Sequence, residues 1–134
     1  MAVNQKDYVE LELLNQRLGE LQRTMDIARQ QLEHSSVALE MLNALTVAKE
    51  GQELLVPIGS GTFITVNASD VKNVKLAVGA GVVVDKSVTE SINFIKNQSV
   101  QINEFSIQTN EAYEQTVSKA MKLQEKIESD MRSK

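Results

Sequence analysis

Cysteine and tryptophan are absent from the 134-residue sequence, and proline occurs once, at Pro57. The lack of cysteine excludes a disulfide framework, a thiolate metal site and a cysteine nucleophile. Aromatic residues make up 4% of the chain, against 42% for all hydrophobic residues. Any apolar core must therefore be built from aliphatic side chains, a supply that suits elongated helices better than a rounded interior.

Long apolar runs and clusters of one charge are missing as well. No segment approaches the roughly 18 consecutive apolar residues of a membrane span, and the first residues lack the apolar stretch of a signal peptide. The net charge is −4, and no Lys or Arg cluster suits a nucleic-acid backbone. We expect a single-domain, soluble, cytoplasmic protein that binds neither nucleic acid nor membrane.

The N-terminal part of the chain, residues 7–49, reads as one long helix. It contains no proline and a single glycine, and its apolar residues recur at alternating spacings of three and four. A period of 3.5 sustained over five heptads is typical of a coiled-coil strand. The seam consists of Leu11, Leu14, Leu18, Leu21, Met25, Ala28, Leu32, Ser35, Leu39 and Leu42.

The middle part, residues 51–86, changes to short β-branched runs that predict four strands, at 54–58, 63–66, 74–78 and 82–84. Gly59-Ser60-Gly61 and Gly79-Ala80-Gly81 place glycines where a hairpin turn needs a positive φ. Because Pro57 cannot donate a ladder hydrogen bond, its strand should lie at an edge or carry a bulge. The sequence therefore predicts two β-hairpins.

The C-terminal part, residues 87–132, again lacks proline and glycine, and predicts a second long helix. Ser87 followed by Glu90 forms a capping-box pattern at its start. Many seam positions hold small or polar residues, so this helix contributes less apolar surface to the seam than the first helix does. The seam consists of Val88, Ile92, Ile95, Ser99, Ile102, Ser106, Thr109, Tyr113, Thr116, Ala120, Leu123 and Ile127.

Two helices of similar length around one small β segment predict an antiparallel coiled coil with the hairpins at its base and both chain ends at the far tip. The fold class is α+β. About 36 residues of β structure are marginal without a covering layer, and Val82-Val83-Val84 lacks the alternation of a half-exposed strand. We therefore expect the hairpins to pair with those of other chains in an intersubunit β-barrel. The residues assigned to this assembly are Leu54, Leu55, Val56, Pro57, Ile58, Phe63, Ile64, Val66, Val74, Leu76, Val78, Val82, Val83 and Val84.

The segments EGQELLVPIGSGTFITV and NVKLAVGAGVVVDKS between two long helices resemble the α-class subunit of prefoldin, in its archaeal type. The resemblance covers nearly the whole chain, and four strands fit the α class, because β-class subunits carry one hairpin. It implies an ATP-independent holdase. In this family two α and four β subunits form a hexamer, and coiled-coil tips capture unfolded client proteins for delivery to a group II chaperonin.

Apolar residues away from the seam predict where a client would bind. In the heptad frame, Leu13, Ile27 and Met41 fall at outward c positions, and Val100, Ile107 and Met121 at outward b positions. Methionine suits contacts with irregular partners. The predicted client-binding residues at the tip, including seam residues that fraying ends would expose, are Tyr8, Leu11, Leu13, Leu14, Val117, Met121, Leu123, Ile127 and Met131.

Enzymatic interpretations find little support in the sequence. His34 is the single histidine and has no neighbouring ligand cluster, and the two GxG turns extend to no nucleotide-binding motif. We expect no catalytic site, metal or cofactor. An alternative interpretation remains a structural coiled-coil or filament protein without general client binding.

Overall fold

A computed structural model describes residues 4–133 of the chain. Its elements, in order, are helix α1 (Gln5–Val47), strands β1 (Glu53–Gly59), β2 (Thr62–Asn67), β3 (Asn73–Gly79) and β4 (Val82–Ser87), and helix α2 (Val88–Arg132). The predicted fold class, two long helices in an antiparallel coiled coil with two β-hairpins, is confirmed. None of the helices within this described range has a stretch long and apolar enough to span a membrane.

The structure divides into two compact units. The first holds residues up to Gln31 together with those from Ile102 onward, and the second is Leu32–Gln101. The interpretation of the chain as one domain stays a prediction.

The first unit is a pair of antiparallel helical segments, because residues near the start of α1 contact residues near the end of α2. Its buried residues are Asp7, Leu21, Ala28, Thr109, Ala120 and Ile127. Apart from Asp7, each of them belongs to the predicted heptad seam. Thr109 Oγ1 donates a hydrogen bond to the Phe105 carbonyl (2.8 Å), and Thr116 Oγ1 donates one to the Ala112 carbonyl (2.7 Å). Both polar seam residues are therefore satisfied within their own helix.

Helix α1 begins with a side-chain cap. The Lys6 backbone N–H donates to Asn4 Oδ1 (3.0 Å), which satisfies one of the N–H groups that a helix start leaves unpaired. Asp7 follows in the first turn, where a negative charge is favoured by the helix dipole.

The second unit contains the rest of both helices and the two hairpins. β1 pairs with β2 and β3 pairs with β4, both antiparallel, and they form separate two-stranded sheets. Ladder pairing shifts register between Pro57 and Gly59 and, at the same place in the other hairpin, between Ala77 and Gly79. The bulge or edge position predicted for the Pro57 strand is therefore confirmed as an irregularity next to the turn.

Helix α2 follows β4 without a loop. The Glu90 N–H donates to Ser87 Oγ (3.1 Å), and Ser87 Oγ donates to Glu90 Oε1 (3.1 Å). Val88 and Ser91 are buried directly after this cap. The predicted cap at Ser87 thus fixes the point at which the second hairpin becomes a helix.

Each hairpin turn has two central residues with positive φ. They are Ser60 (53°) and Gly61 (73°) in the first, and Ala80 (52°) and Gly81 (74°) in the second. Two positive values in a two-residue loop define a type I′ turn, whose twist matches the flanking strands. Alanine has no polar side chain to compensate the left-handed conformation, so Ala80 is the strained position.

Replacing Ala80 by asparagine should stabilise the second hairpin. Asparagine tolerates the left-handed conformation, and Asn-Gly is the preferred pair for this turn, so Ala80→Asn should add about 0.5–1 kcal/mol to the free energy of unfolding. Urea unfolding followed by circular dichroism measures the change. The matched variant Ala80→Val, with a β-branched side chain, should destabilise the protein. Equal midpoints for the two variants would contradict the turn assignment.

The loop between the hairpins is held by Asp70. Its Oδ1 accepts hydrogen bonds from the backbone N–H groups of Lys72 (2.8 Å) and Asn73 (3.0 Å). The hydrogen bond from Lys72, followed by that from Asn73, lowers the pKa of the Asp70 carboxyl below its ordinary value of 3.8.

The order of this loop should depend on pH in a defined direction. Because the pKa of Asp70 is lower in the folded state, the stabilisation by its carboxylate is present above pH 3.8 and is lost as pH falls through the folded-state pKa. Hydrogen exchange of the Lys72 and Asn73 amides, corrected for intrinsic rates, measures the loss. Asp70→Asn keeps an acceptor oxygen and should remove the pH dependence, whereas Asp70→Ala should speed exchange at every pH. Exchange in the wild-type protein that stays flat through acid pH would refute the assignment.

Candidate functional surfaces

The hairpins carry apolar side chains on both faces. Residues directly opposite each other in an antiparallel ladder share a face. Val56 pairs with Ile64 on one face of the first hairpin, and Pro57 pairs with Phe63 on the other. In the second hairpin, Leu76 pairs with Val84 and Ala77 with Val83, again on opposite faces.

The chain by itself covers only part of this apolar surface. Half of the residues assigned to assembly are partly buried, namely Leu54, Val56, Pro57, Val66, Val74, Leu76 and Val84. The other half are exposed, namely Leu55, Ile58, Phe63, Ile64, Val78, Val82 and Val83, with Leu55 64% exposed. The two-sided burial expected for Val82-Val83-Val84 is not found among residues 4–133, because none of them covers Val82 and Val83.

A groove of about 660 Å³ lies inside the second unit, between the helices and the hairpins. Met41, Leu42 and Leu45 of α1 line one wall, and strand residues including Leu54, Val56 and Leu76 line the other. The prediction that Met41 points outward is therefore wrong. The heptad frame considers only the partner helix, and here the hairpins cover the side of α1 that the frame leaves free.

Charges on the hairpins are few and lie at the surface. Lys75 Nζ lies 2.8 Å from Asp85 Oδ1, across the β3–β4 ladder. The hydrogen bond to Asp85 and the charge of that carboxylate raise the pKa of the Lys75 ammonium. Both side chains are largely exposed, so this ion pair lies on a solvent-exposed part of an otherwise apolar hairpin face.

The first unit presents a different kind of apolar surface. Tyr8, Leu13, Met121 and Met131 are each 48–59% exposed. The outward positions predicted for Leu13, Ile27, Val100, Ile107 and Met121 agree with their exposure, although Val100 lies in the second unit.

Other predicted client-binding residues lie in the seam between the helices. Leu11, Leu14 and Leu123 are half-buried, and Ile127 is 5% exposed. Val117, next to the seam residue Thr116, is half-buried as well. The closed structure therefore does not present them as a surface, and their role as contacts stays a prediction.

Sequence reasoning missed several exposed apolar side chains. Val9, Val37, Val47, Phe94 and Phe105 are between 39% and 83% exposed. The same heptad frame that located Leu13 and Met121 places Phe94 and Phe105 off the seam. The heptad pattern could therefore have predicted that these two side chains are exposed.

Comparison with known proteins agrees with this arrangement of helices and hairpins. The family model described as "Prefoldin subunit" matches residues 14–131. The chain belongs to the prefoldin subunit family. Prefoldin subunits are chaperone components and not a known enzyme family.

Curated proteins similar to this chain include archaeal α subunits. The prefoldin subunit alpha of Methanothrix thermoacetophila is 35% identical over 106 residues, which cover 79% of this chain and 65% of that protein. The prefoldin subunit alpha of Archaeoglobus fulgidus is 30% identical over 118 residues, covering 88% of this chain and 81% of the relative. These similarities confirm the α-class, archaeal-type resemblance.

A solved structure shares the fold. A chain of filamentous PFD from Methanocaldococcus jannaschii, determined by cryo-EM, superposes with a TM-score of 0.53 at 21% identity, over 90% of this chain and 94% of that one. The match to a family described as subunits supports an oligomeric prefoldin assembly.

A charge on the exposed hairpin face should block that assembly. Val83 is 58% exposed in the single chain, so Val83→Lys should change the stability of the chain by only about 0.5 kcal/mol. If another subunit covers Val83, the buried ammonium costs several kcal/mol and the complex dissociates. Native mass spectrometry of the chain mixed with a β-class prefoldin subunit measures this. Val37→Lys, the same change on an exposed helix position, should assemble normally, and a full-mass complex of Val83→Lys would exclude this face from the interface.

Proposed function

We propose that this prefoldin subunit is part of an ATP-independent holdase that binds non-native polypeptides through the helix ends of its first unit. The observation that carries the proposal is the exposure of large apolar side chains at these helix ends. The membership of the chain in the prefoldin family supports the same function. Leu13 and Met121 are 59% and 58% exposed, and neither is needed to close the seam.

Weak individual contacts are compatible with useful binding. Burying one Leu or Met side chain contributes roughly 1.5–3 kcal/mol, which alone does not offset the cost of association. Several subunits that hold one client together raise the apparent affinity by about 10² or more. Each contact remains weak enough to release the client without nucleotide.

The partners proposed for this chain are those of the α class. Two copies assemble through their hairpins with four β-class subunits, and an intersubunit β-barrel covers the exposed strand residues. The whole chain acts as one domain in the cytoplasm, and its bound client passes to a group II chaperonin. The free edges and uncovered faces of the hairpins support the assembly step, since an unpaired strand edge readily pairs with another strand.

A filament-forming structural role is the second candidate. It is favoured by the fold shared with a filamentous assembly from Methanocaldococcus jannaschii. Electron microscopy of the purified chain, alone and with a β-class subunit, separates a closed complex from a filament.

The double change Leu13→Ser and Met121→Ser should weaken client capture. Both side chains are exposed, so the helices should remain folded, while two apolar contacts per chain are lost from each bound client. We expect the complex to require about tenfold more protein to suppress aggregation. Light scattering of an unrelated denatured protein, diluted into the complex without nucleotide, gives the measurement.

Val47→Ser supplies the matched control for this experiment. Val47 is 83% exposed but lies in the second unit, so its loss should leave protection unchanged. The proposed site is wrong if the double variant assembles and protects as well as the wild-type complex.

A further inference from the structure

The helix ends of the first unit are joined by two polar side-chain contacts. Lys126 Nζ of α2 lies 3.2 Å from Asp7 Oδ2 of α1, and the Tyr8 hydroxyl donates to Met131 Sδ at 3.8 Å. Within residues 4–133, no other side-chain hydrogen bond or ion pair joins α1 to α2.

Asp7 occupies a position that an apolar residue would normally fill. It lies four residues before Leu11 and seven before Leu14, so the heptad seam continues through it at a d position. Its residue surface is 5% exposed. A carboxylate has thus been placed in the coiled-coil seam.

Within residues 4–133, the cation that contacts this carboxylate is Lys126. Asp7 Oδ2 is buried and accepts no hydrogen bond from any of these residues, although Lys126 Nζ lies 3.2 Å from it. The contact is therefore a charge pair without an aligned hydrogen bond. A buried charge is strongly unfavourable when its partner is removed, so without Lys126 the Asp7 side chain should move out of the seam into water.

Opening at Asp7 would expose the apolar residues beside it. Leu11 and Leu14 continue the α1 seam and are half-buried, while Ile127 follows Lys126 and is 5% exposed. The buried part of these side chains can contact a client only when the helix ends separate.

We propose that the Asp7–Lys126 pair determines how much seam surface the helix ends offer to a non-native polypeptide. The inference rests on the proposed holdase function. With the pair formed, capture uses the outward residues alone, and with the pair broken, it also uses the seam. Asp7 and Lys126 are positioning residues in this scheme, because they act through the leucines and isoleucine they hold together.

The test measures the separation of the helix ends and client protection in the same complexes. Because the chain has no cysteine, Glu12→Cys and Gln124→Cys allow specific nitroxide labels on exposed positions of α1 and α2. Labelled chains are diluted with unlabelled chains and assembled with a β-class prefoldin subunit. Electron–electron double resonance then gives the distance distribution between the two labels.

Lys126→Gln should lengthen and broaden that distribution, and should lower the concentration needed for half-maximal suppression of aggregation by roughly threefold, since small gains multiply over several chains. Asp7→Leu restores an apolar seam residue, so it should narrow the distribution and raise the concentration needed. Lys119→Gln is the matched control, because Lys119 forms no ion pair within residues 4–133, and should change neither quantity.

Unchanged label distances in Lys126→Gln would overturn the inference, because the pair would not hold the helix ends. Longer label distances with unchanged suppression of aggregation would also overturn the inference, since the exposed seam would then not bind the client. If Lys126→Gln fails to assemble, Asp7→Leu decides the question in the opposite direction. Failure of the holdase proposal itself is read from Leu13→Ser with Met121→Ser, which leave the Asp7–Lys126 pair intact.

Discussion

The incomplete cover on the two β-hairpins is the constraint on which the rest of the structure depends. Each hairpin forms its own two-stranded sheet, so every strand has one unpaired backbone edge. Two-stranded sheets are marginal in water unless another layer covers them. Parts of both helices supply one layer, through residues such as Leu42 and Val88, which are buried. The remaining faces, with Leu55 and Val83 exposed, have no cover from residues 4–133, as expected for a chain of a subunit family.

The helix seam combines aliphatic residues of both helices with small and polar residues that are more frequent on α2. Leu21 and Ala28 are buried on α1, while Thr109, Ala120 and Ile127 are buried on α2. The Thr109 hydroxyl is satisfied within α2, so it costs little as a buried polar group. A threonine at a seam position does, however, reduce the apolar area that the two helices remove from water. The seam is therefore continuous in its heptad pattern but buries a modest apolar area. A single polar contact at its end can consequently affect whether the two helix ends stay together.

Local chemistry made most of the fold predictable. Heptad spacing located both helices, glycine pairs located both turns, and Ser87 with Glu90 located the start of α2, because each of these signals acts over a few residues. Long-range packing was harder to anticipate. Met41 was misplaced because it lines the groove next to the hairpins, and Asp7 was overlooked because its ion-pair partner, Lys126, is 119 residues away in sequence. The left-handed backbone at Ser60 and Ala80 follows from the turn type, which glycine positions alone do not specify.

The exposed apolar residues of the two units differ in the kind of contact they can make. A strand edge offers regularly spaced N–H and C=O groups, so a partner strand must adopt one register, and the alternating side chains reinforce it. Such a surface suits a permanent interface with defined geometry. Exposed Leu13 and Met121 lie on helices whose backbone hydrogen bonds are already made within the helix, so they impose no register, and methionine adapts to irregular shapes. Under the proposed function, the specific contacts lie on the hairpins and the adaptable contacts on the helices, so that assembly and capture do not compete for the same residues.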